Sequence, residues 1–293
     1  QKAGQQASSA GSFGSTTAGI DTPLNSTELA VINNASNAYF EKAGLMLLNG
    51  SISGVFSGSY NVTPYMVGGK PSVVYLGSIT CIYCGENRWA MALALGRFGS
   101  FAALYKGYSS FGDYDVPTLY WTQNNYTTPD TSSFNPNGID IGNSYKSSYI
   151  NFFSIDGNGQ INQGFFIQPL NVIGSEVNAT ENQQYISVYK YLMTLQSSNA
   201  TAFQGTPYTI WGSSMFRGAD GVDFGNAYPP VNSTLPLTYM THSQVLSQLA
   251  NPNDTFAWRE YAAADVYVAR ICAAIKNAAP VCSLSSIKAI EAL

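Results

Sequence analysis

Charge is what this chain has least of. Asp, Glu, Lys and Arg together make up 10% of its 293 residues, against roughly 25% in an ordinary soluble domain. The 13 Lys and Arg stand singly and are outnumbered by 17 Asp and Glu. No basic stripe exists to neutralise phosphates, which sets nucleic-acid partners aside. With 45% hydrophobic residues, disorder driven by high charge is excluded. Long apolar runs are also missing: the longest, Trp89 to Leu95, falls far short of the ~20 residues that span a bilayer. Histidine is reduced to His242, and there is one CxxC without a second. A four-ligand Cys/His zinc site therefore lacks half its ligands, and neither a metal nor a cofactor is expected. One histidine, unplaced, supports no Ser–His–acid arrangement.

Hydroxyls and amides take the place of charge: 33 Ser, 20 Thr and 24 Asn, with 27 Gly and 20 Tyr. Nine Asn-x-Ser/Thr acceptors occur, at Asn25, Asn34, Asn49, Asn61, Asn125, Asn178, Asn199, Asn232 and Asn253. Composition alone yields about four, so the excess is roughly twofold and points to N-linked glycans on an extracellular protein. The chain opens at Gln1 without Met or an apolar signal segment, which reads as a mature chain released from a secretory signal. Its first residues, Gln1 to Gly19, are rich in Gly, Ser, Ala, Gln and Thr, with Phe13 the one large apolar side chain. Such a leader buries too little surface to order itself. Residues 1–26 are therefore expected to dock as an extended strand on a neighbouring copy, and residues 27–293 to form the folded domain.

At this length one elaborated domain or two modest ones are possible. Apolar spacing predicts a helix over 27–48, strands at 51–59 and 71–77, and a helix over 81–98. Further strands are expected at 102–109, 116–122, 149–155 and 164–168. The last two are joined by the turn Asp156-Gly157-Asn158-Gly159. A helix over 181–195, a hairpin at 208–211 and 215–217, and helices at 243–250 and 255–278 complete the α/β pattern. The Asn/Ser/Thr/Pro/Gly-rich stretch 124–148 reads as a surface loop.

Four cysteines allow three pairings. Cys272 and Cys282 lie close enough for a local bridge that ties the C-terminus to the preceding helix. Cys81-Ile82-Tyr83-Cys84 follows an apolar strand and opens a helix. A thiol there faces unpaired N–H groups and the positive end of the helix dipole, which favours thiolate. Cys81 is thus the expected nucleophile and Cys84 the resolving thiol, the two forming a Cys81–Cys84 disulfide when oxidised. Such a site also uses a cis-proline opposite the CxxC. Pro117 and Pro207 are candidates, and the strand, tight turn, strand and helices after Pro207 favour it. About 110–205 would then be an insertion before the cis-Pro strand.

The segments Lys70 to Gly77 and Cys81 to Ala90, with Arg97-Phe98-Gly99 and the closing Ile271-Cys272 to Val281-Cys282 element, resemble a family of secreted archaeal (crenarchaeal) thioredoxin-like proteins catalogued as a domain of unknown function. The resemblance runs from roughly residue 30 to 283 and rests on the CxxC-x-x-x-Arg-Trp-Ala block. It implies a thioredoxin-like fold and secretion, and no activity. Many members carry Pro-Phe between the cysteines where this chain has Ile82-Tyr83.

Glu86 and Arg88 beside the CxxC have two readings, a pair that tunes Cys81 and an exposed helix-face pair, and the second is favoured. The series Asp156, Asn158, Gln160 reads as a hairpin turn, since it lacks the distal Glu of a calcium loop. Tyrosines read as packing and interface residues. Two functions follow. The first is a secreted, glycosylated structural subunit of a filament, thread or surface coat, whose leader docks on the next copy and builds an open polymer. The alternative is an extracellular thiol–disulfide oxidoreductase built on Cys81 and Cys84.

Overall fold

The computed structural model describes residues 19–53, 55, 59–79, 81–109, 116–123, 139–157, 182–198, 208–217, 240–253 and 255–293. The described elements are mixed α/β. The helices are α1 (Ser26–Asn33), α2 (Asn37–Leu48), α3 (Ile82–Leu95), α4 (Gln183–Ser198), α5 (His242–Ala250), α6 (Thr255–Ala274) and α7 (Ser285–Glu291), with a 3-10 turn at Pro280–Ser283. The strands are β1 (Tyr60–Asn61), β2 (Met66–Val67), β3 (Lys70–Ser78), β4 (Gly99–Phe101), β5 (Tyr105–Tyr108), β6 (Pro117–Tyr120), β7 (Ile139–Ile141), β8 (Tyr145–Ser147), β9 (Asn151–Gly157), β10 (Tyr208–Trp211) and β11 (Ser214–Arg217).

The main sheet runs β1-β11-β10-β3-β9-β7, with β2 paired to the start of β3. Strand β9 is parallel to β3, while β10, β11 and β7 are antiparallel to their inner neighbours. Two-residue alternation along β3 splits the interior in two. Val73 and Tyr75 join a core with α3 and α6, and Val74 and Leu76 join Tyr185, Val188 and Leu192 of α4 on the opposite face. A strand covered on both faces has to be apolar throughout, which is why Ser-Val-Val-Tyr-Leu was legible as a central strand. Helix α3 is buried on every side from Cys84 to Leu95, packed against α6 and β6 and sharing a core with Val73 and Tyr75 of the main sheet.

Two helices stand where the apolar spacing suggested one over 27–48. Asn25 caps α1 through a capping box with Glu28, and Ser36 caps α2 by accepting from the Ala38 N–H. In the intervening Asn33-Asn34-Ala35-Ser36, the short polar side chains of Asn33 and Ser36 bond distant and local backbone in place of the helix ladder. Asn33 holds both backbone groups of Phe101 at 2.9 Å. The stretch 124–148, read as a loop, contains β7 and β8. No described residue of 51–59 is in a strand. Strand β9 continues through Asp156 to Gly157, so those residues are not turn corners. Residues 164–168 and Pro207 lie outside the described residues.

Two domain boundaries shift. The range 110–205, expected as an insertion, contains β9 and α4, which are the sheet's parallel neighbour to β3 and the cover of its second face. The end of the expected leader is laid along β5 of its own chain: the Asp21 N–H donates to Lys106 O at 2.7 Å, Lys106 N–H to Thr22 O at 2.9 Å, and Leu24 N–H to Leu104 O at 2.8 Å. Leu24 is buried there. Only residues 1–18 are left of the leader as a strand for a neighbour, and they lie outside the described residues.

Candidate functional site

Strand β3 ends at Ser78, and Cys81 is the N-cap of α3. The Cys84 N–H donates to Cys81 Sγ at 3.4 Å, so the sulfur takes up a donor that the helix start leaves unpaired. Cys81 is half-exposed and Cys84 fully buried. That asymmetry suits an outer sulfur that meets a substrate and an inner one that does not. Cys81 and Cys84 are not joined to each other in the structure, and the disulfide expected between them on oxidation belongs to the proposal below. Between them, Ile82 enters the core and Tyr83 is half-buried against it.

The floor of the site is a polar cluster inside an apolar core. Arg88, one helical turn below Cys84, is 0% exposed and pairs with Asp156 of β9, Nη2 to Oδ1 at 2.6 Å. Arg88 Nη2 also donates to Ser78 O at 3.0 Å, and Tyr75 Oη donates to Asp156 Oδ1 at 3.0 Å. The guanidinium lies 5.5 Å from the centre of the Tyr75 ring. Gly77 makes room for this crossing, since a Cβ there would stand 2.0 Å from Tyr75 Oη. Glu86 and Arg88 are both buried, at 1% and 0%, and this overturns the exposed helix-face reading. Asp156, read as a turn residue, and Tyr75, read only as part of a strand, are the site residues missed by sequence.

Burial, then the neighbouring Cys81, push the Cys84 thiol well above its ordinary range, while Arg88 and the Ser78 N–H, which donates to Cys84 Sγ at 3.3 Å, pull it back. Burial raises the Asp156 carboxyl against the pull of Arg88 and Tyr75. Burial likewise drives the Tyr75 phenol far up. For Arg88, burial acts downward and is outweighed by Asp156, which keeps the guanidinium charged.

The β5–β6 hairpin is packed on the start of α3. Thr118 Oγ1 donates to Gly85 O at 2.5 Å, and the Trp89 indole donates to Pro117 O at 3.0 Å. Pro117, the second proline candidate, thus begins β6 beside the CxxC helix. Pro207 is outside the described residues; β10 begins at Tyr208, paired with Leu76 two residues before the end of β3. His242, at the first turn of α5, is buried, and its Nε2–H donates to Thr118 O at 2.8 Å. Burial pulls its pKa down to about 4.

The Cys272–Cys282 bridge is formed, joining the end of α6 to the 3-10 turn. Of the nine glycan acceptors, Asn25, Asn34, Asn49, Asn61 and Asn253 are described and all five are exposed. Asn125, Asn178, Asn199 and Asn232 lie outside the described residues. Among the described residues no cluster of His, Cys, Asp and Glu could hold a metal, and no helix is long and apolar enough to cross a membrane.

No curated protein and no solved structure matches this chain. A family model does match, over residues 59–273, a span that takes in the main sheet, the CxxC, Arg88 and Asp156. The chain belongs to the family described as Domain of unknown function (DUF929).

Proposed function

We propose that this protein is a secreted thiol–disulfide oxidoreductase of thioredoxin-like fold, with Cys81 as nucleophile and Cys84 as resolving thiol. The observation that carries the reading is the pair itself: a half-exposed thiol capping a helix, one turn above a buried partner. Helix dipole and unpaired N–H groups favour thiolate at the cap. Exchange then proceeds in two steps. The Cys81 thiolate attacks one sulfur of a substrate disulfide, forming a mixed disulfide as the substrate S–S bond breaks and the first substrate thiol leaves; Cys84 then attacks Cys81, closing the Cys81–Cys84 bond and releasing the second substrate thiol. The thioredoxin-like assignment is supported by the strand order β9-β3-β10-β11, the parallel β3–α3–β9 unit and the antiparallel β10–β11 hairpin. Fold alone would not license the activity.

Extracellular placement is part of the proposal and rests on the sequon excess and the exposure of the five described acceptors. The structural-subunit reading has the same support from composition. Its main argument, a leader free to dock on a neighbour, is weakened by the pairing of Asp21 to Leu24 with β5 of the same chain. The test is reduction of a protein disulfide by the full chain in the presence of a thiol recycler. Wild type is expected to accelerate it and Cys81→Ser to abolish the acceleration; equal rates for the two would end the oxidoreductase reading.

A further inference from the structure

We propose that Arg88 is the counter-charge of the Cys84 thiolate, a positioning residue that readies the inner sulfur for the resolving step. The proposal rests on the exchange reading above. Three observations carry it. Cys84 and Arg88 are four residues apart on α3, so their side chains share a face. Both close on the same residue: the Ser78 N–H donates to Cys84 Sγ at 3.3 Å, while Ser78 O accepts from Arg88 Nη2 at 3.0 Å. Arg88 is also incompletely used. It is 0% exposed, yet among the described residues only Nη2 has a hydrogen-bond partner, and Nε and Nη1 have none.

A buried guanidinium with idle donors is costly unless they meet an acceptor at some stage of the protein's work. A purely structural Arg–Asp pair would be best served by the two-pronged fork that guanidinium and carboxylate form naturally. Here Asp156 takes one prong. The anion that exchange would create in this place is the Cys84 thiolate. The titratable and charged groups that face it are Cys81, Tyr75 and Arg88, and of these Arg88 alone opposes burial by its charge.

In the resolving step Cys84 Sγ, having lost its proton to solvent, attacks Cys81 Sγ of the mixed disulfide. The Cys81–Cys84 bond forms and the bond from Cys81 to the substrate sulfur breaks. The leaving sulfur departs with that bond's electron pair and takes a proton from solvent. Over both steps the cysteine pair is oxidised by two electrons and the substrate disulfide is reduced. A cation beside Cys84 raises the fraction of attacking thiolate at any pH below the thiol's pKa.

The experiment uses the full chain with thionitrobenzoate attached to Cys81, and follows release of the coloured thiol by stopped flow across pH. Asp156→Asn is the reference, because it removes the carboxylate that shares Arg88 and leaves the cation unshared. It is expected to resolve faster than wild type. Adding Arg88→Met to it is expected to slow resolution by about tenfold or more, the effect of one unit of thiol pKa. Arg88→Lys on the same background keeps the charge and is expected to recover most of the rate, which a packing role would not explain. Equal rates and pH profiles for folded D156N and R88M/D156N would overturn the assignment. So would an R88K/D156N protein that folds and resolves as slowly as the methionine variant. The measurement needs no natural substrate. Arg88-dependent resolution in a protein that reduces no protein disulfide would sustain the counter-charge and reject the oxidoreductase, whereas Arg88-independent resolution in an active one would do the reverse.

Discussion

The two cysteine pairs have the same atoms and opposite settings. Cys272 and Cys282 are both 0% exposed, ten residues apart in sequence and bonded, inside a core made of α2, α6 and α7. Cys81 and Cys84 are three apart, unbonded, one reaching the surface and the other resting above an Arg–Asp–Tyr cluster. Among the described residues neither member of the first pair caps a helix, and Arg88 is the one fully buried cation; the second pair has Cys81 as a helix cap and Arg88 one turn below Cys84. On the proposed function, surroundings rather than the cysteines themselves separate a clamp from a reactive dithiol.

That contrast can be broken pair by pair. Cys81→Ser should remove all disulfide exchange while changing stability by no more than about 0.5 kcal/mol, because the site is half-exposed and serine is itself a good N-cap. A denaturant midpoint well below wild type would show that Cys81 also holds the fold. Replacing Cys272 and Cys282 together by alanine should do the converse. Opening a loop of this size costs about 3 kcal/mol, while exchange per folded molecule stays at the wild-type level. Lost exchange in folded protein would mean that the two ends of the molecule are coupled.

His242 sharpens the comparison, since through Thr118 it braces the hairpin that abuts the CxxC helix. Its folded pKa of about 4 lies below its ordinary 6.5, so between those values the unfolded chain binds the proton and the folded chain does not. Stability from this group is complete above pH 6.5 and is lost as pH falls toward 4, about 3 kcal/mol. Asp156 and Asp265, both raised by burial, act with the opposite sign, losing stability as pH rises through the raised range. His242→Gln should therefore flatten the acid limb of a stability–pH curve relative to wild type; an unchanged limb would remove His242 from the account. Gly77→Ala is expected to cost ~1–3 kcal/mol, through displacement of Tyr75 from Asp156. It should alter the pH dependence of exchange and leave the Cys272–Cys282 bridge intact.

Much of this was legible in the sequence where the cause is local. The apolar run of β3, the CxxC at the start of α3, the hairpin at 208–217 and the C-terminal bridge depend on neighbours a few residues away. What the sequence concealed is long-range. Arg88 and Asp156 are 68 residues apart, and Tyr75 and Asp156 81. Asp156-Gly157-Asn158-Gly159 has the composition of a turn, yet pairing with β3 draws its first two residues into the sheet. Arg88 looked solvated because charge on a helix usually is; the burial of α3 on every side leaves it no route to water. The break after Asn33 was written in polar cap residues but masked by the apolar spacing around them. The fold-back of Asp21 to Leu24 depends on β5, more than 80 residues away along the chain, and the pattern of the leader itself carries no sign of it.

The most direct test is the reduction potential of each cysteine pair in the same full chain, followed by alkylation and mass mapping in redox buffers. The account predicts that Cys81–Cys84 equilibrates with the buffer at a potential above about −300 mV, within the span of known exchange catalysts, while Cys272–Cys282 stays oxidised below it. A Cys81–Cys84 pair that also resists reduction below about −300 mV would be a second structural clamp, and the central claim would be contradicted.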